Sequence, residues 1–265
     1  MRNRHLILIA IAWFIPSGLV AQDQLADAVA SLKARDWRTR SVGMHEIAEM
    51  PNWLNSPGAK QALIKLLDSE NDAITAMFTD PPPENESEAR GIYYSELLGM
   101  VASFVDSTDE ASLGVLLHAQ YNPDSAFALK LLSCGEPIVK PLLSLIDSPE
   151  TSERTHVLRA NAYEMLGYLI RDHCTGKTLH RLSESSIRDI EDRLRGGLRD
   201  VNINIRLAAV HGEAAAGDLE ALGILEELQR NDPDMRVTEA GRRRYLVREA
   251  AANAIRTIRA HPTFR

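Results

Sequence analysis

Three similar stretches recur in the C-terminal half of the sequence, and each joins two helix-forming patterns through a short polar turn. In each stretch a leucine- and isoleucine-rich segment ends in an aspartate, and an arginine that follows an aliphatic residue then opens an alanine-rich segment. The aspartate and arginine pairs are Asp147 with Arg159, Asp200 with Arg206, and Asp232 with Arg248. The arginines are 47 and then 42 residues apart, a spacing typical of stacked helical pairs. Because one such pair cannot bury its apolar face alone, the pattern predicts that each unit packs on further copies of itself.

The composition favours helices over strands along the rest of the chain as well. Aromatic residues make up only 5% of the 265 residues, whereas hydrophobic residues make up 45% and charged residues 25%. Alanine and leucine are prominent among the apolar residues, and both are strong helix formers. We therefore predict an all-α fold.

Apolar spacing and turn residues predict about six helical pairs in residues 22–265, with about 41 residues per pair. The predicted helical pairs are 24–35 with 39–50, 57–68 with an interrupted helix at 73–78 and 88–104, 110–120 with 125–133, 137–146 with 154–172, 186–199 with 204–216, and 219–230 with 245–260. Loop insertions are predicted near 79–87, which carries three prolines, near 173–185 and near 235–244. The segment 73–78 leaves a local three-helix unit of the armadillo type open as an alternative.

The repeated units resemble HEAT repeats of the bacterial type that is similar to phycobilisome-lyase repeats. The matching motifs are Arg-Leu-Ala-Ala at Arg206 and Arg-Glu-Ala-Ala-Ala-Asn-Ala-Ile at Arg248, and the unit with Arg159 is a weaker copy. Over most of residues 24–260 the resemblance implies an α-solenoid of about six HEAT-like pairs, an armadillo-like superhelix. In that family the aspartate caps the second helix and the arginine bonds to the turn, so that stacked pairs form a ladder. The ladder implied here consists of Asp147, Arg159, Asp200, Arg206, Asp232 and Arg248.

The N-terminus has the layout of a secretory signal peptide. A basic head at residues 1–5 precedes an apolar run at 6–20, and Ala21 offers a small residue for cleavage before Gln22. The run is shorter than the ~20 residues that a membrane-spanning helix needs, so a cleaved signal is favoured over a retained anchor. We predict that residues 1–21 are removed, that no membrane span remains, and that the mature chain is periplasmic or secreted.

The net charge argues against a nucleic-acid partner. The formal net charge is −7, and it becomes −9 after loss of the predicted signal peptide with its two arginines. Neutralising nucleic-acid phosphates requires a clustered positive surface. The basic triplet at 242–244 is a local exception, which fits either a solvated loop or a contact with a phosphate or an acidic partner.

The two cysteines and two nearby histidines were considered as covalent or metal sites. Cys134 and Cys174 lie 40 residues apart, about one repeat, so a disulfide between adjacent units is possible in an exported protein, and two separate apolar residues are the alternative. His173, Cys174 and His180 share one predicted loop, but a structural zinc site usually needs four ligands. We predict no metal and no cofactor.

Tyrosines and carboxylates on the predicted second helices are the candidate partner-binding residues. In HEAT-like stacks the second helices line the concave surface, and tyrosine is common at binding hot spots. When the second helices of the repeats are aligned, some of the earlier repeats have a carboxylate at the position that Ala254 or Ile255 occupies in the last repeat. Packing between repeats, an exposed helix face or ion pairs are the alternatives for these residues. The predicted set is Tyr93, Tyr94, Glu96, Tyr163, Glu164, His211 and Glu213.

Together these features predict a non-enzymatic scaffold that binds a protein or peptide through the concave face of a solenoid in the periplasm or cell envelope. No nucleophile elbow, phosphate-binding glycine loop or His-Glu-x-x-His motif occurs in the sequence. Two alternatives remain, an enzyme of lyase or hydrolase type on a HEAT-like scaffold and a structural accessory subunit of an envelope complex.

Overall fold

The computed structural model describes residues 17–79, 82–104, 110–119, 125–149, 152–237 and 242–261. The described residues are almost entirely helical, with twelve α-helices and one two-stranded ribbon. This confirms the prediction of an all-α fold. The signal peptide predicted for residues 1–21 falls mostly outside these ranges, because only the backbone of residues 17–21 is described, as the start of the first helix. None of the helices in the described ranges is long and apolar enough to cross a membrane.

The chain divides into two compact units, residues 1–63 and residues 64–265, and the third helix contains residues of both. In the first unit the helices are α1 (Ser17–Ser31), α2 (Trp37–Glu49) and the start of α3 (Pro57–Thr79). Helix α2 lies against α1 at Gly43, where a Cβ atom would stand 2.7 Å from the carbonyl oxygen of Ala28. Glycine therefore permits the close approach of the two backbones.

The second unit contains the rest of α3 and nine further helices in the described residues. These are α4 (Glu84–Ser103), α5 (Glu110–Leu117), α6 (Ala126–Ser133), α7 (Val139–Ile146), α8 (Glu153–Cys174), α9 (Glu184–Gly197), α10 (Ile203–Ala216), α11 (Leu222–Asn231) and α12 (Leu246–Ala260). Helices α4, α6, α8, α10 and α12 each pack on the next in that order, and so do α5, α7 and α9. The hydrophobic core of this unit lies between these two sets of helices.

Helix α8 is the central helix of the second unit and approaches α10 very closely. A Cβ atom at Gly167 would overlap the main chain of Gly212, and one at Gly212 would lie 2.6 Å from the carbonyl oxygen of Tyr163. The two helices therefore touch through their backbones, and of the described side chains of α8 only Val157 and Cys174 are exposed.

Side-chain caps begin several helices where the sequence predicted a turn. The side chains of Asp36, Ser125, Ser152, Ser183 and Asn202 each accept a hydrogen bond from a backbone N–H in the first turn of α2, α6, α8, α9 and α10. Contrary to what the resemblance implied, Asp200 is not the cap of α10, because Asn202 fills that position. Helix α12 begins at Leu246 without any side-chain cap, so Asp232 does not cap it either.

Helix α3 is longer than predicted. The apolar spacing predicted an end at Asp68, where the polar run 68–72 begins, but the helix continues to Thr79. The run stays helical because two of its residues are buried and hydrogen-bonded: Tyr93 Oη donates to Glu70 Oε1 at 3.2 Å, and Tyr94 Oη donates to Asn71 Oδ1 at 2.6 Å. Tertiary partners thus override a local pattern that favours a turn.

Two of the three predicted insertions are shorter than expected, and the third has secondary structure. The first is confined to residues 80–83, of which 80 and 81 lie outside the described ranges, since α4 already begins at Glu84. The second is reduced to 175–183 by the C-terminal extension of α8 and the early start of α9. In the third, strand β1 (Arg236–Val237) pairs antiparallel with strand β2 (Arg243–Arg244).

The two cysteines are not joined by a disulfide, contrary to the bridge considered in the sequence analysis. Cys134 is buried at the end of α6, whereas Cys174 is exposed at the end of α8.

We expect titration with a thiol reagent to detect one fast-reacting cysteine in the native protein and two in denaturant, because a buried thiol is shielded from the reagent. Replacing Cys174 by serine should remove the fast reaction, and protection of both thiols in the native, non-reduced protein would contradict the structure.

Candidate functional site

Three of the predicted partner-binding residues are tyrosines that the structure places in the interior. Tyr93, Tyr94 and Tyr163 are all nearly inaccessible to solvent. Tyr163 packs against Gly197, where a Cβ atom would overlap its ring, and burial raises the pKa of its phenol. Contrary to the expectation, these tyrosines hold helices together and present no exposed ring to a partner.

Glu213 is also buried, and its environment is unusual. Its exposed fraction is 0%, and neither carboxylate oxygen has a hydrogen-bond partner among the described residues. Its pKa is raised from 4.5 to about 8, chiefly by burial and to a smaller extent by the charge of Asp218, while Arg195 opposes the rise. At neutral pH the side chain is therefore mostly a neutral acid, which is the form that a buried carboxyl group favours. It cannot contact a partner directly.

The other three predicted partner-binding residues are accessible. Glu96 is exposed on α4, Glu164 is half-buried on α8, and His211 is exposed on α10. His211 Nδ1 lies 3.0 Å from Glu164 Oε1, so this pair links two neighbouring second helices. The structure thus brings together Glu164 and His211, whereas Glu213 is buried in the core.

The predicted ladder contains one well-developed rung, at Arg206. Its Nη1 donates to the carbonyl oxygens of Asp200 at 2.8 Å and Val201 at 3.1 Å, within the turn between α9 and α10. Its Nε donates to Asp232 Oδ2 at 2.9 Å, and its Nη2 contacts Asp234. Arg206 therefore joins the turn of its own helical pair to the turn of the next pair.

The remaining ladder residues behave differently from one another. Arg248 Nε donates to the carbonyl oxygen of Asp232 at 2.6 Å. Asp147 pairs with Arg193 of α9 at 2.8 Å, which again joins successive helical pairs. Arg159 does not reproduce the pattern, since its Nε is buried and has no hydrogen-bond partner in the described part of the chain.

A cleft of about 710 Å³ opens between α3, α5, the end of α7 and the start of α8. We call it the α3–α8 cleft. Its apolar floor is formed by Val115, Leu145 and Leu158, together with Gly114. A Cβ atom at Gly114 would meet no other element within 4 Å, so the glycine leaves room at the floor. The polar residues that line the cleft are Lys65, Asp68, Ser69, Asp72, His118, Ser148, Arg154 and Thr155.

Arg154 is the central charged residue of the cleft. Its Nη1 contacts Asp72 of α3, and its Nη2 lies 3.5 Å from the carbonyl oxygen of His118, the residue directly after α5. Its Nε is buried without a hydrogen-bond partner in the described residues. Arg154 thus spans the cleft from α8 to α3 and α5, and it retains hydrogen-bonding capacity at the base of the cleft.

One hydroxyl group and the imidazole group that line the cleft are each hydrogen-bonded to a carbonyl oxygen of the preceding helical turn. Ser69 Oγ donates to the carbonyl oxygen of Leu66 at 2.7 Å, and His118 Nδ1 lies 2.8 Å from the carbonyl oxygen of Gly114. A nucleophile that is activated by a base would instead be bonded to that base. Within the described ranges, no group of three or more His, Cys, Asp or Glu side chains could hold a metal ion.

The sequence analysis did not identify the cleft. Lys65, Asp68, Ser69 and Asp72 recur every three or four residues and so share one face of α3, a pattern that usually marks a solvated face. The only sequence signal for a site was the unexplained Gly114 inside a short apolar helix.

No known protein family and no curated protein matches the sequence.

Proposed function

We propose that the protein is a non-enzymatic scaffold that binds a peptide segment of a partner protein in the α3–α8 cleft. The observation that carries the proposal is the combination of an apolar floor with a rim of both positive and negative charges. Binding sites commonly combine an apolar interior with a few fixed polar groups. Along α3 the rim charges Lys65, Asp68 and Asp72 follow one another by about one helical turn, or about 5 Å. A row of charges with this spacing is suited to pair with charged side chains along a bound peptide.

The proposed architecture is an α-solenoid of the HEAT type. Successive second helices pack side by side in chain order from α4 to α12, and three of the first helices do the same. Arg206 and Arg193 each connect one helical pair to the next through an aspartate. Repeats that contact only their neighbours produce extended surfaces for binding, which suits a scaffold.

We further propose that the protein acts outside the cytoplasm, in the periplasm or cell envelope. The support for this is the basic head, apolar run and small residue at 1–21. The net charge of −7 supports a protein partner over a nucleic acid.

Filling the cleft is expected to abolish peptide binding. Gly114→Leu adds an isobutyl group at the floor, where its Cβ atom would meet no other element within 4 Å, and it replaces glycine by a stronger helix former. Peptides selected from a random display library on the purified wild-type protein should lose about tenfold or more in affinity for the variant, because the occupied floor can no longer accept their apolar side chains. Fluorescence anisotropy with the selected peptides measures this loss.

Gly99→Leu is the matched control, because Gly99 is an exposed residue inside α4 whose Cβ atom would also meet nothing within 4 Å. This variant should bind the selected peptides like the wild-type protein. The proposal is overturned if the library yields no specific peptide, or if the selected peptides bind all three proteins equally.

A further inference from the structure

The ribbon of β1 and β2 concentrates positive charge in an acidic protein. Residues 235–244 contain four arginines and one glutamate, whereas the whole chain has a net charge of −7. In the ribbon Arg236 lies directly opposite Arg244, and Val237 lies opposite Arg243. Like charges at opposite positions destabilise a pair of strands, so the arrangement is unfavourable unless negative groups compensate it.

Groups within the protein compensate only part of this charge. Arg244 pairs with Glu249 at the start of α12. Arg236 donates to the neutral side-chain oxygen of Asn204 at 3.1 Å. Arg243 is exposed and forms no ion pair with any described residue. The ribbon therefore has positive charge that an external anionic group can neutralise.

Exposed apolar side chains lie in residues 235–237 and in the turn before α10. Val201 in the turn before α10 is 97% exposed, Val237 is 62% exposed and Met235 is 38% exposed. The turn and the base of the ribbon are fastened together, since Arg206 bonds to the carbonyl oxygen of Val201 and to Asp234. A nearly completely exposed valine beside a valine-and-arginine ribbon is typical of an interaction surface, where arginine and methionine are enriched.

We propose that this surface binds an acidic segment of a partner protein. It consists of Val201, Met235, Arg236, Val237, Arg242 and Arg243, and we call it the ribbon surface. Guanidinium groups bind carboxylates through paired, charge-assisted hydrogen bonds, so the arginines of this surface recognise acidic side chains of the partner. The valines and the methionine contact apolar side chains between the acidic ones. This surface is separate from the α3–α8 cleft, none of whose lining residues it contains.

An acidic protein segment is favoured over a nucleic acid for two reasons. A nucleic acid presents phosphates along its whole length, so beyond the ribbon it meets the net negative charge of the protein, while a short acidic segment contacts only the ribbon. In addition, the exposed valines offer nothing to a phosphate backbone, but they bury apolar area against a peptide.

A synthetic peptide tests the proposal directly. The probe is a labelled peptide of about twelve residues with alternating glutamate and valine, measured by fluorescence anisotropy at about 0.15 M salt with the full chain. We expect saturable binding that Arg242→Glu/Arg243→Glu weakens about tenfold or more. A peptide with lysine in place of glutamate should bind this variant better than it binds the wild-type protein. Val201→Ser should weaken binding of the glutamate peptide several-fold, since it removes apolar contact.

The control variant is Arg188→Glu/Arg256→Glu, which makes the same change in net charge at exposed positions on α9 and α12. It should bind the glutamate peptide like the wild-type protein, and so should Gly114→Leu. Equal loss in the control variant would show a general charge effect and overturn the proposal. Absence of peptide binding, or binding of a single-stranded DNA of similar length in its place, would overturn it as well.

Discussion

Glu213→Gln is expected to stabilise the protein at neutral and alkaline pH and to remove the pH dependence of stability that Glu213 causes between pH 4.5 and about 8. Below pH 4.5 the carboxyl group of Glu213 is protonated in both the folded and the unfolded chain, so its ionisation has no effect on stability. At higher pH the unfolded chain releases the proton while the folded chain keeps it, because the group is buried. The free energy of unfolding therefore falls as the pH rises, until the pH reaches the raised pKa of the folded state.

The magnitude of this effect is large for a single side chain. The loss is about 1.4 kcal/mol per pH unit, which gives roughly 5 kcal/mol across the interval from 4.5 to about 8. Glutamine has nearly the same shape and does not ionise, so the variant avoids the loss. Urea unfolding followed by far-ultraviolet circular dichroism, at pH values from about 4 to 9, measures the difference between the two proteins.

Glu88→Gln is the control for this prediction, because Glu88 is exposed on α4 and should leave the pH dependence unchanged. Glu213→Met provides a second variant that removes the two carboxylate oxygens without hydrogen-bond partners as well as the ionisation. Parallel stability profiles for wild-type protein and both Glu213 variants over the whole pH range would contradict the burial of a protonated carboxyl group.

Arg206→Met is expected to destabilise the protein by about 3–5 kcal/mol, because it leaves a buried carboxylate without its cation. The side chain of Asp232 is 1% exposed and that of Arg206 is 8% exposed. The substitution also removes the donor to the carbonyl oxygens of Asp200 and Val201, which are part of the turn before α10. Urea unfolding at neutral pH measures the loss.

Arg193→Met tests whether burial is the cause. Arg193 and Asp147 also join successive helical pairs, but their side chains are 48% and 47% exposed, so the loss should be only about 0–1 kcal/mol. In the double variant Arg206→Met/Asp232→Leu neither charge remains, and stability should recover in part relative to Arg206→Met. Equal losses for Arg206→Met and Arg193→Met, or no recovery in the double variant, would contradict this account.

Local patterns in the sequence were sufficient to predict most helices. The spacing of leucines and alanines placed α6, α8, α9 and α10 within a few residues of their observed starts. These features depend only on neighbouring residues along the chain, so they can be predicted without knowing the fold. The continuation of α3 through 68–72 could not, because it depends on hydroxyl groups of Tyr93 and Tyr94 that lie more than twenty residues away.

Helix periodicity determined which residues share a face, but only the tertiary packing determined which faces are buried. Tyr163 and Glu213 were predicted to face a partner, yet both are buried, on helices α8 and α10 that approach each other through their backbones at Gly167 and Gly212. The α3–α8 cleft is formed by four helices from distant parts of the chain, and the ribbon surface by a turn and an insertion fastened by Arg206. Burial and concavity arise between elements, and the distances between elements are set by side-chain volume and close packing, which the order of residues along one helix does not reveal.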